Sequence, residues 1–390
     1  MTLRVLSIFG TRPEAVKMAP TLQELGATSG VQSIICVTAQ HREMLNQVLQ
    51  LFEIKPQYDL DLMQPDQSLA TLTAAIFSNL DPVLRQTQPD WVLVQGDTTT
   101  VMAAATLAFY HHVRVGHVEA GLRTGYKYNP FPEEINRRLT SVVADLHFAP
   151  TEWSRENLLR EGIPADHVVV TGNPVIDALQ SVARMPPDQK VTTLLDRLGL
   201  SVAYPEGGTS PTGGEPSRLV LITAHRRENF GEPLENICIA IRRLAEVYVD
   251  DVSFVYPVHL NPNVQETVYR LLAGVPNITL LPPLDYLPFV HLLKCAALVL
   301  TDSGGLQEEA PAFGVPVLVL RDITERPEGI EAGTVKLVGT GTERIISETQ
   351  HLLEDPQAYA QMAHAINPYG DGHASPRIVK TLLNFKRDKS

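Results

Sequence analysis

The chain has 390 residues, which is too long for one hydrophobic core and predicts two domains. Its composition, 44% hydrophobic and 19% charged, predicts a sizeable buried core and excludes disorder over most of the length. With 44 acidic against 32 basic residues the net charge is −12, which argues against nonspecific binding to nucleic acid or anionic lipid.

Cysteine usage and the apolar segments predict where the protein acts. Cys36, Cys238 and Cys295 are far apart and lack metal-ligand spacing, so they indicate a reducing, cytoplasmic compartment. The N-terminus lacks the basic segment and cleavage site of a signal peptide, and no apolar run reaches the ~18 residues that a membrane span needs. We therefore expect a soluble protein that does not bind membranes.

Short apolar segments recur along the chain and predict β-strands. They lack the alternation of half-exposed strands, so helices are expected to cover both faces of a parallel sheet. In the first half they are 3–9, 31–38, 91–95, 113–118, 146–149 and 167–172, and in the second half 218–224, 252–258, 278–281, 296–302, 315–320 and 335–339. The expected fold class is α/β, with two Rossmann-like, doubly wound parallel-sheet domains that face a cleft.

Two segments indicate the organisation of the second half. Residues 201–217 are rich in Gly, Pro, Ser and Thr, which predicts a mobile surface loop without chemistry. Helical spacing is broken at 367–372, and 376–385 is expected to form a last helix that crosses back to the first domain. The expected domains are 1–172, joined by the C-terminal helix at about 370–390, and 173–369.

The turn after the first strand is a candidate anion site. Gly10 permits a tight turn, and the helix N-terminus that follows, with Arg12 and Lys17 nearby, offers amides and positive charge to a phosphate. The alternative is an ordinary strand-to-helix turn with a surface arginine. The G-x-G-x-x-G pattern is missing here and G-x-x-x-x-G-K-[ST] occurs nowhere, so neither a nicotinamide dinucleotide site nor a P-loop is predicted.

Three carboxylates, Asp97, Glu119 and Glu133, lie at or just beyond the ends of consecutive strands in the first half. Parallel sheets bind ligands at those ends, so the three are expected to converge, with Arg123 and Arg137 within reach. Such clustering suits acid and base work, whereas each residue alone would be explained as a helix cap. His-x-Glu at 117–119 resembles part of a zinc deaminase motif, but the P-C-x-x-C partner is absent and we expect no metal.

Two polar clusters follow strands of the second half. His225, Arg226 and Arg227 would suit a diphosphate, with His225 donating to the leaving oxygen, or they are a surface cluster at a helix start. The segment 301–305, Thr-Asp-Ser-Gly-Gly, would hold a second phosphate, and Glu308 and Glu309 would accept from ribose hydroxyls or cap the helix. The likeness to a serine-protease motif is rejected, because that fold is all-β and no supporting His/Asp framework is present.

Taken together, nine segments spread over nearly the whole chain resemble the non-hydrolysing UDP-N-acetylglucosamine 2-epimerases. They are GTRPEAVKMAP (10–20), TAQHREML (38–45), GDTTT (96–100), GHVEAGLRT (116–124), PEEINRRLT (132–140), TAHRRENFGEP (223–233), LTDSGGLQEEAP (300–311), RDITERPEG (321–329) and NPYGDG (367–372). The resemblance implies the GT-B arrangement, a homodimer, and interconversion of UDP-GlcNAc and UDP-ManNAc for cell-surface polysaccharide synthesis without a cofactor.

The resemblance also implies roles for individual residues. Asp97, Glu119 and Glu133 match the catalytic carboxylates, and Arg12, Lys17, Arg137 and His225 match residues around the diphosphate and reacting sugar. Ser303, Gly304 and Glu309 match phosphate and ribose contacts, Arg326 another nucleotide contact, and Phe289 a uracil neighbour. For a second, activating UDP-GlcNAc, Gln40, Arg227 and His259 are retained, but Glu43 and Asp66 replace a glutamine and an arginine. Two acidic side chains facing a diphosphate should weaken that activation.

The expected chemistry is elimination of UDP to a 2-acetamidoglucal, followed by its re-addition. Asp97 and either Glu119 or Glu133 would share the proton transfers, while Arg12, Arg137 and His225 would stabilise UDP. Domain closure around a hinge near Asn173 and Pro174 would retain the glucal. The alternatives are a GT-B glycosyltransferase, a hydrolysing relative that releases ManNAc, and a sensor that binds without turnover.

Overall fold

The computed structural model describes residues 2–38, 42–62, 67–200 and 218–385, with only the backbone described at 42–44. The predicted loop at 201–217, Gln40, Asp66 and the side chain of Glu43 lie outside this description. The chain divides into two compact units, Met1–Gln180 with Tyr369–Ser390, and Ser181–Pro368. No helix of the described residues has both the length and the apolar character needed to cross a membrane.

The first unit is built on a seven-stranded parallel sheet. Its strands are β1 (Leu3–Phe9), β2 (Val31–Val37), β3 (Tyr58–Asp59), β4 (Trp91–Gln95), β5 (Arg114–Val118), β6 (Leu146–Ala149) and β7 (Val168–Val170). They are arranged in the order β3-β2-β1-β4-β5-β6-β7. Every residue of β4 is buried, because helices cover both faces of the sheet.

Helices connect these strands, because neighbouring parallel strands need a crossover connection. They are α1 (Arg12–Ala27), α2 (Arg42–Leu51), α3 (Leu69–Thr87), α4 (Thr99–Tyr110), α5 (Glu133–Val143), α6 (Glu152–Arg160) and α7 (Pro174–Ala183). A single turn of 3-10 helix, Ala165–His167, precedes β7. Polar side chains cap several helix starts: Thr11 accepts from the amide of Glu14, and Thr98 from that of Val101.

The second unit repeats the plan with six parallel strands in the order β10-β9-β8-β11-β12-β13. These are β8 (Arg218–Thr223), β9 (Val252–Pro257), β10 (Ile278–Leu281), β11 (Ala296–Thr301), β12 (Val317–Val319) and β13 (Val335–Leu337). The helices are α8 (Gln189–Arg197), α9 (Glu232–Val247), α10 (Pro262–Leu272), α11 (Tyr286–Lys294), α12 (Gly304–Glu309), α13 (Pro327–Glu331), α14 (Thr342–Glu354) and α15 (Pro356–Ala363). The predicted doubly wound α/β class is confirmed in both units.

The last helix, α16 (Ala374–Asn384), belongs to the first unit and begins two residues before the predicted segment. Its apolar side chains Ile378, Val379 and Leu382 are buried. The carboxylate of Asp177 on α7 accepts hydrogen bonds from the amides of Ala374 at 3.1 Å and Ser375 at 2.8 Å. Burial raises the pKa of Asp177, and these two amides oppose the shift. The predicted return of the last helix to the first domain is confirmed.

Replacing Asp177 by alanine is expected to loosen α16, because its first amides lose a buried acceptor. A loss of about 1–3 kcal/mol corresponds to a ~5- to 150-fold faster amide hydrogen exchange in that helix. Mass spectrometry of exchanged peptides measures this. Asp188→Ala is the control, since Asp188 caps α8 in the second unit through the amide of Val191 at 2.8 Å. Equal exchange of α16 in the two variants would contradict the assignment.

Candidate functional site

The strand order reverses between β1 and β4 in the first unit and between β8 and β11 in the second. Open parallel sheets bind ligands outside the carboxyl ends of the strands at such a point. The segments that follow these strands carry the polar residues singled out in the sequence.

Glu119 directly follows β5, and its carboxylate is almost fully enclosed. It accepts from Lys17 Nζ at 2.5 Å, from Asn173 Nδ2 at 2.9 Å and from the side-chain amide of Gln95. Its backbone has a φ of +62°, a left-handed conformation that costs a non-glycine residue about 1 kcal/mol or more. Donors from three separate elements hold the carboxylate there. Lys17 was predicted at the site, whereas Gln95 and Asn173 were not predicted as partners of Glu119.

Asp97 follows β4 and is held by α5. Nε and Nη2 of Arg137 both donate to Oδ2 of Asp97, at 2.9 and 2.7 Å, and Asn136 Nδ2 donates to its backbone oxygen at 2.9 Å. Among the described residues, nothing donates to the second carboxylate oxygen, Oδ1. The side chain of Asp97 is 27% exposed and that of Arg137 is 8% exposed. The ion pair therefore fixes one oxygen of Asp97 and leaves the other without a donor among the described residues.

The start of α1 differs from the expectation that its amides hold an anion. The carboxylate of Glu14 accepts from the amides of Gly10 and Thr11, both at 2.8 Å, and from the hydroxyl of Thr98 at 2.6 Å. Burial raises the pKa of Glu14, and these hydrogen bonds oppose the shift. The chain's own acid thus takes these two amide donors and connects α1 to the turn that carries Asp97. Of the other predicted anion contacts here, Lys17 donates to Glu119 and Arg12 is half-buried.

His117 is buried in β5 and contacts the turn before Asp97. Its Nε2 lies 2.7 Å from the carbonyl oxygen of Gly96, which can only accept, so Nε2 carries the proton. Nδ1 has no partner among the described residues. Burial lowers the pKa of His117 to about 4 and that of its neighbour on β6, His147, to about 3. The neutral ring of His117 therefore supports the Gly96 turn.

Across the described chain, no group of three or more His, Cys, Asp or Glu residues could hold a metal.

The two adjacent glutamates at the start of α5 have different surroundings. Glu133 is half-buried and makes no hydrogen bond or ion pair with the described residues, whereas Glu134 is fully buried and contacts Arg137. Contacts therefore join Asp97 to Arg137 and Glu119 to Lys17, but none joins Glu133 to either pair. Arg123 was expected to reach the carboxylates, yet it pairs with Glu161 at 2.7 Å.

In the second unit, Asp302 organises the loop after β8. It is fully buried, and its carboxylate accepts from the amides of His225 and Arg226 at 2.9 and 2.8 Å and from Asn229 Nδ2 at 3.0 Å. The imidazole of His225 stacks on that of His259, with ring centres 5.2 Å apart. Burial lowers the pKa of His225, and Asp302 opposes the shift. The histidine is therefore positioned by a carboxylate whose role was not predicted.

Arg326 lies against the start of α12 between two acids. Its Nε donates to Glu308 at 2.5 Å and its Nη1 to Glu325 at 2.6 Å. Burial by itself would raise the pKa of Glu325, but the guanidiniums of Arg326 and Arg321 outweigh it and lower the pKa to about 2. Arg326 is thus held rigidly beside Gly304. The amide of Ser303, expected to bind phosphate, donates to the hydroxyl of Thr301 at 2.9 Å.

The other predicted site residues lie on the surface of the second unit. Phe289 on α11, Ser303 at the start of α12 and Glu309 at its end are half-buried, while Arg227 and His259 are exposed. The two exposed residues are the described part of the expected second-substrate site. Gln40 and the replacements at 43 and 66 lie outside the described side chains.

Adjacent glycines in α12 provide a matched pair for testing the position of Arg326. A Cβ at 304 would lie 2.5 Å from Nη1 and 2.8 Å from Cζ of Arg326, whereas a Cβ at 305 would meet nothing closer than 3.8 Å. Gly304→Ala is expected to cost about 1–3 kcal/mol, because it displaces a buried ion pair. Gly305→Ala should be neutral or stabilise by up to ~1 kcal/mol through helix propensity. Denaturant unfolding of both variants measures the difference, and a neutral Gly304→Ala would contradict the packing.

Comparisons with known proteins agree with this architecture. The sequence pattern of the family described as UDP-N-acetylglucosamine 2-epimerase matches residues 23–383. A UDP-N-acetylglucosamine 2-epimerase of Yersinia pestis is 53% identical over 98% of this chain and 99% of its own. The crystal structure of UDP-GlcNAc 2-epimerase from Neisseria meningitidis bound to UDP-GlcNAc has a TM-score of 0.87 and 53% identity, covering 98% of this chain and 100% of that one.

A more distant structure retains the same fold. The Methanocaldococcus jannaschii UDP-GlcNAc 2-epimerase in complex with UDP-GlcNAc and UDP has a TM-score of 0.80 and 32% identity, covering 98% of this chain and 100% of that one. The family pattern and relatives more than half identical agree over nearly the full length. The chain therefore belongs to the UDP-N-acetylglucosamine 2-epimerase family.

Proposed function

We propose that the chain interconverts UDP-GlcNAc and UDP-ManNAc in the cytoplasm and supplies a precursor for cell-surface polysaccharides. The observation that carries this proposal is the pair of carboxylates, Asp97 and Glu119, at the carboxyl ends of neighbouring strands, each hydrogen-bonded to a cation. The relatives in complex with UDP-GlcNAc and UDP support the choice of substrate.

The reaction inverts C2, whose hydrogen is not acidified by any neighbouring carbonyl. Elimination solves this difficulty without oxidation: a carboxylate takes the C2 proton while the C1–O bond to UDP breaks, and the bond electrons leave with UDP. The products are UDP and a 2-acetamidoglucal. In the second half, UDP adds back to C1 and a proton is delivered to C2 from the opposite face. Such a sequence needs two proton-handling groups and cations for the departing diphosphate.

The first unit supplies candidates for the proton transfers. Asp97 has one carboxylate oxygen that no described residue occupies, which suits proton abstraction or delivery. Glu119 lies beside Lys17, and Glu133 has no partner among the described residues, so either could be the second group. Arg12 and Arg137 are the proposed cations near the reacting sugar.

The second unit supplies the proposed nucleotide contacts. His225 is fixed by Asp302 and would stabilise the departing diphosphate. Ser303, Gly304, Glu309 and Arg326 are proposed to contact phosphate and ribose, and Phe289 to contact the uracil. Because Glu308 and Glu325 hold Arg326, its guanidinium is pre-oriented before the nucleotide binds.

Incubation with UDP-GlcNAc alone in D2O tests the proposal directly. Deuterium is expected at C2 of both epimers, together with formation of UDP-ManNAc. Asp97→Asn and Glu119→Gln should lower the exchange rate by about 10²- to 10⁴-fold, the usual worth of acid–base catalysis. Asp81→Asn is the control, because Asp81 on α3 pairs with Arg85 and with His111 after α4 and has no described contact with Asp97 or Glu119. NMR of the sugar protons follows both readouts.

Each rival function predicts a different result of the same incubation. A glycosyltransferase gives no C2 exchange until an acceptor is added, and a hydrolysing enzyme releases free ManNAc and UDP. A sensor binds the nucleotide sugar without turnover, and its output is unchanged by Asp97→Asn. Any of these outcomes would overturn the proposed epimerisation.

We also propose that the chain forms a homodimer through an apolar face on α4 and α5. Phe109, Tyr110, Leu139 and Val142 are all exposed, and Val142 at the end of α5 is 79% exposed. Phe109 and Val142 line the same surface cavity. Apolar side chains concentrated in this way are typical of surfaces that bury against a partner.

Val142→Glu is expected to convert the dimer to a monomer, since it places a charge in the proposed interface. Light scattering after size-exclusion chromatography would show the mass falling by about half, with the fold retained by circular dichroism. Val247→Glu, at an apolar position that is 60% exposed at the end of α9 in the second unit, should remain dimeric. A Val142→Glu protein that stays dimeric would place the interface elsewhere.

A further inference from the structure

Glu134, which the proposed mechanism does not use, is the most deeply buried carboxylate of α5. It is 0% exposed, and an unpartnered charge at such a position would cost several kcal/mol. Four donors surround it: the amides of Thr124 at 3.0 Å and Gly125 at 3.3 Å, Arg137 Nη1 at 3.3 Å and Arg138 Nη2 at 3.4 Å. The two arginines lie three and four residues later on the same helix, where side chains share a face.

Arg137 connects this buried acid to Asp97. Its Nη1 donates to Glu134 while its Nε and Nη2 donate to Asp97, so all three nitrogens of the guanidinium are engaged. A planar group with both edges occupied cannot rotate without breaking a hydrogen bond. Asp97 is thereby held with Oδ2 against the arginine. The direction of the other oxygen, Oδ1, follows from that constraint.

The same arrangement affects the charge that Asp97 experiences. Among the described residues, Arg137 from α5 is the charged group bonded to Asp97, while the neutral His117 of β5 and the carboxylates of Glu14 and Glu119 lie around the same turn. Those next to Glu134 are Arg137 and Arg138, and Arg138 also lies 4.0 Å from Glu161. One guanidinium is therefore shared by two carboxylates. Without the charge of Glu134, the whole positive charge of Arg137 would act on Asp97 and weaken it as a base.

We propose that Glu134 is a positioning residue for Asp97, which holds Arg137 in place and offsets its charge so that Asp97 keeps its orientation and its proton affinity. The catalytic part of this inference rests on the proposed function. Glu133, the neighbour that the sequence favours, has no contact that could do the same. The adjacent glutamates therefore have separate tasks, and the buried one acts through the arginine.

The test compares Glu134→Gln with Glu161→Gln, which removes an equal charge from the partner of Arg123 and has no described contact with Asp97 or Arg137. Glu134→Gln should lower kcat for epimerisation about 10- to 100-fold. The acid limb of its kcat profile should move about 0.5–1 pH unit lower, because Asp97 holds its proton less tightly. Glu161→Gln should leave the rate and the profile unchanged.

A double-variant cycle separates an effect that acts through Asp97 from a nonspecific loss of activity. If Glu134 acts through Asp97, then Glu134→Gln lowers kcat in the parent but has little further effect on Asp97→Asn. Should the glutamine variant fail to fold, Glu134→Asp keeps the charge and is carried through the same cycle, with a smaller loss of kcat and no change in the acid limb. An undiminished effect in the Asp97→Asn background would overturn the inference.

Direct titration of the Asp97 carboxyl tests the positioning role of Glu134 separately from the proposed epimerase activity. Carboxyl ¹³C NMR of aspartate-labelled protein, with the Asp97 signal assigned from the Asp97→Asn variant, reports its protonation without turnover. Glu134→Gln should shift that titration to lower pH even if the parent shows no C2 exchange in D2O. A parent that exchanges C2 and a Glu134→Gln variant with unaltered titration and kcat would refute the positioning role alone.

Discussion

The strand-end sites depend on one constraint: a carboxylate that the fold removes from water must be paired with hydrogen-bond donors. A charge buried without partners costs several kcal/mol, which is a large part of the net stability of a domain. Glu119 meets this constraint with donors from α1, β4 and the start of α7, at sequence separations of 102, 24 and 54 residues. Because donors from all three elements bind one carboxylate, α1, β4 and the start of α7 are fixed relative to one another.

The second unit applies the same constraint in another way. Asp302 follows β11, yet its hydrogen bonds go to the loop after β8, the neighbouring strand in the sheet but separated by 73 to 77 residues in sequence. Its donors are mostly backbone amides, so it shapes a loop, whereas the donors of Glu119 are side chains. In both units a strand-end acid fixes the geometry of the residues around it.

The sequence predicts the sheets better than the side-chain partnerships. Continuous apolar runs identify every long strand, because strands covered on both faces need no polar positions. The two residues of β3 have too little periodicity to detect. Asp97 and Glu119 stand out in the sequence because a polar residue after a buried strand is a local signal. Gln95 and Asp302 were missed as partners because their contacts lie far along the chain, and no short-range pattern encodes them.

The two glutamates of α5 show why a local sequence pattern cannot predict which of two adjacent side chains is buried. Glu133 and Glu134 are adjacent, identical in chemistry and equally suited to a helix start, so composition and spacing cannot rank them. Their difference arises from the 100° rotation per helical residue, which turns Glu134 toward Arg137 and the amides of 124 and 125 and leaves Glu133 half-buried. The four donors that surround Glu134 make it a rigid support for an arginine. The proposed difference in role between the two glutamates therefore rests on tertiary packing, which the local sequence does not encode.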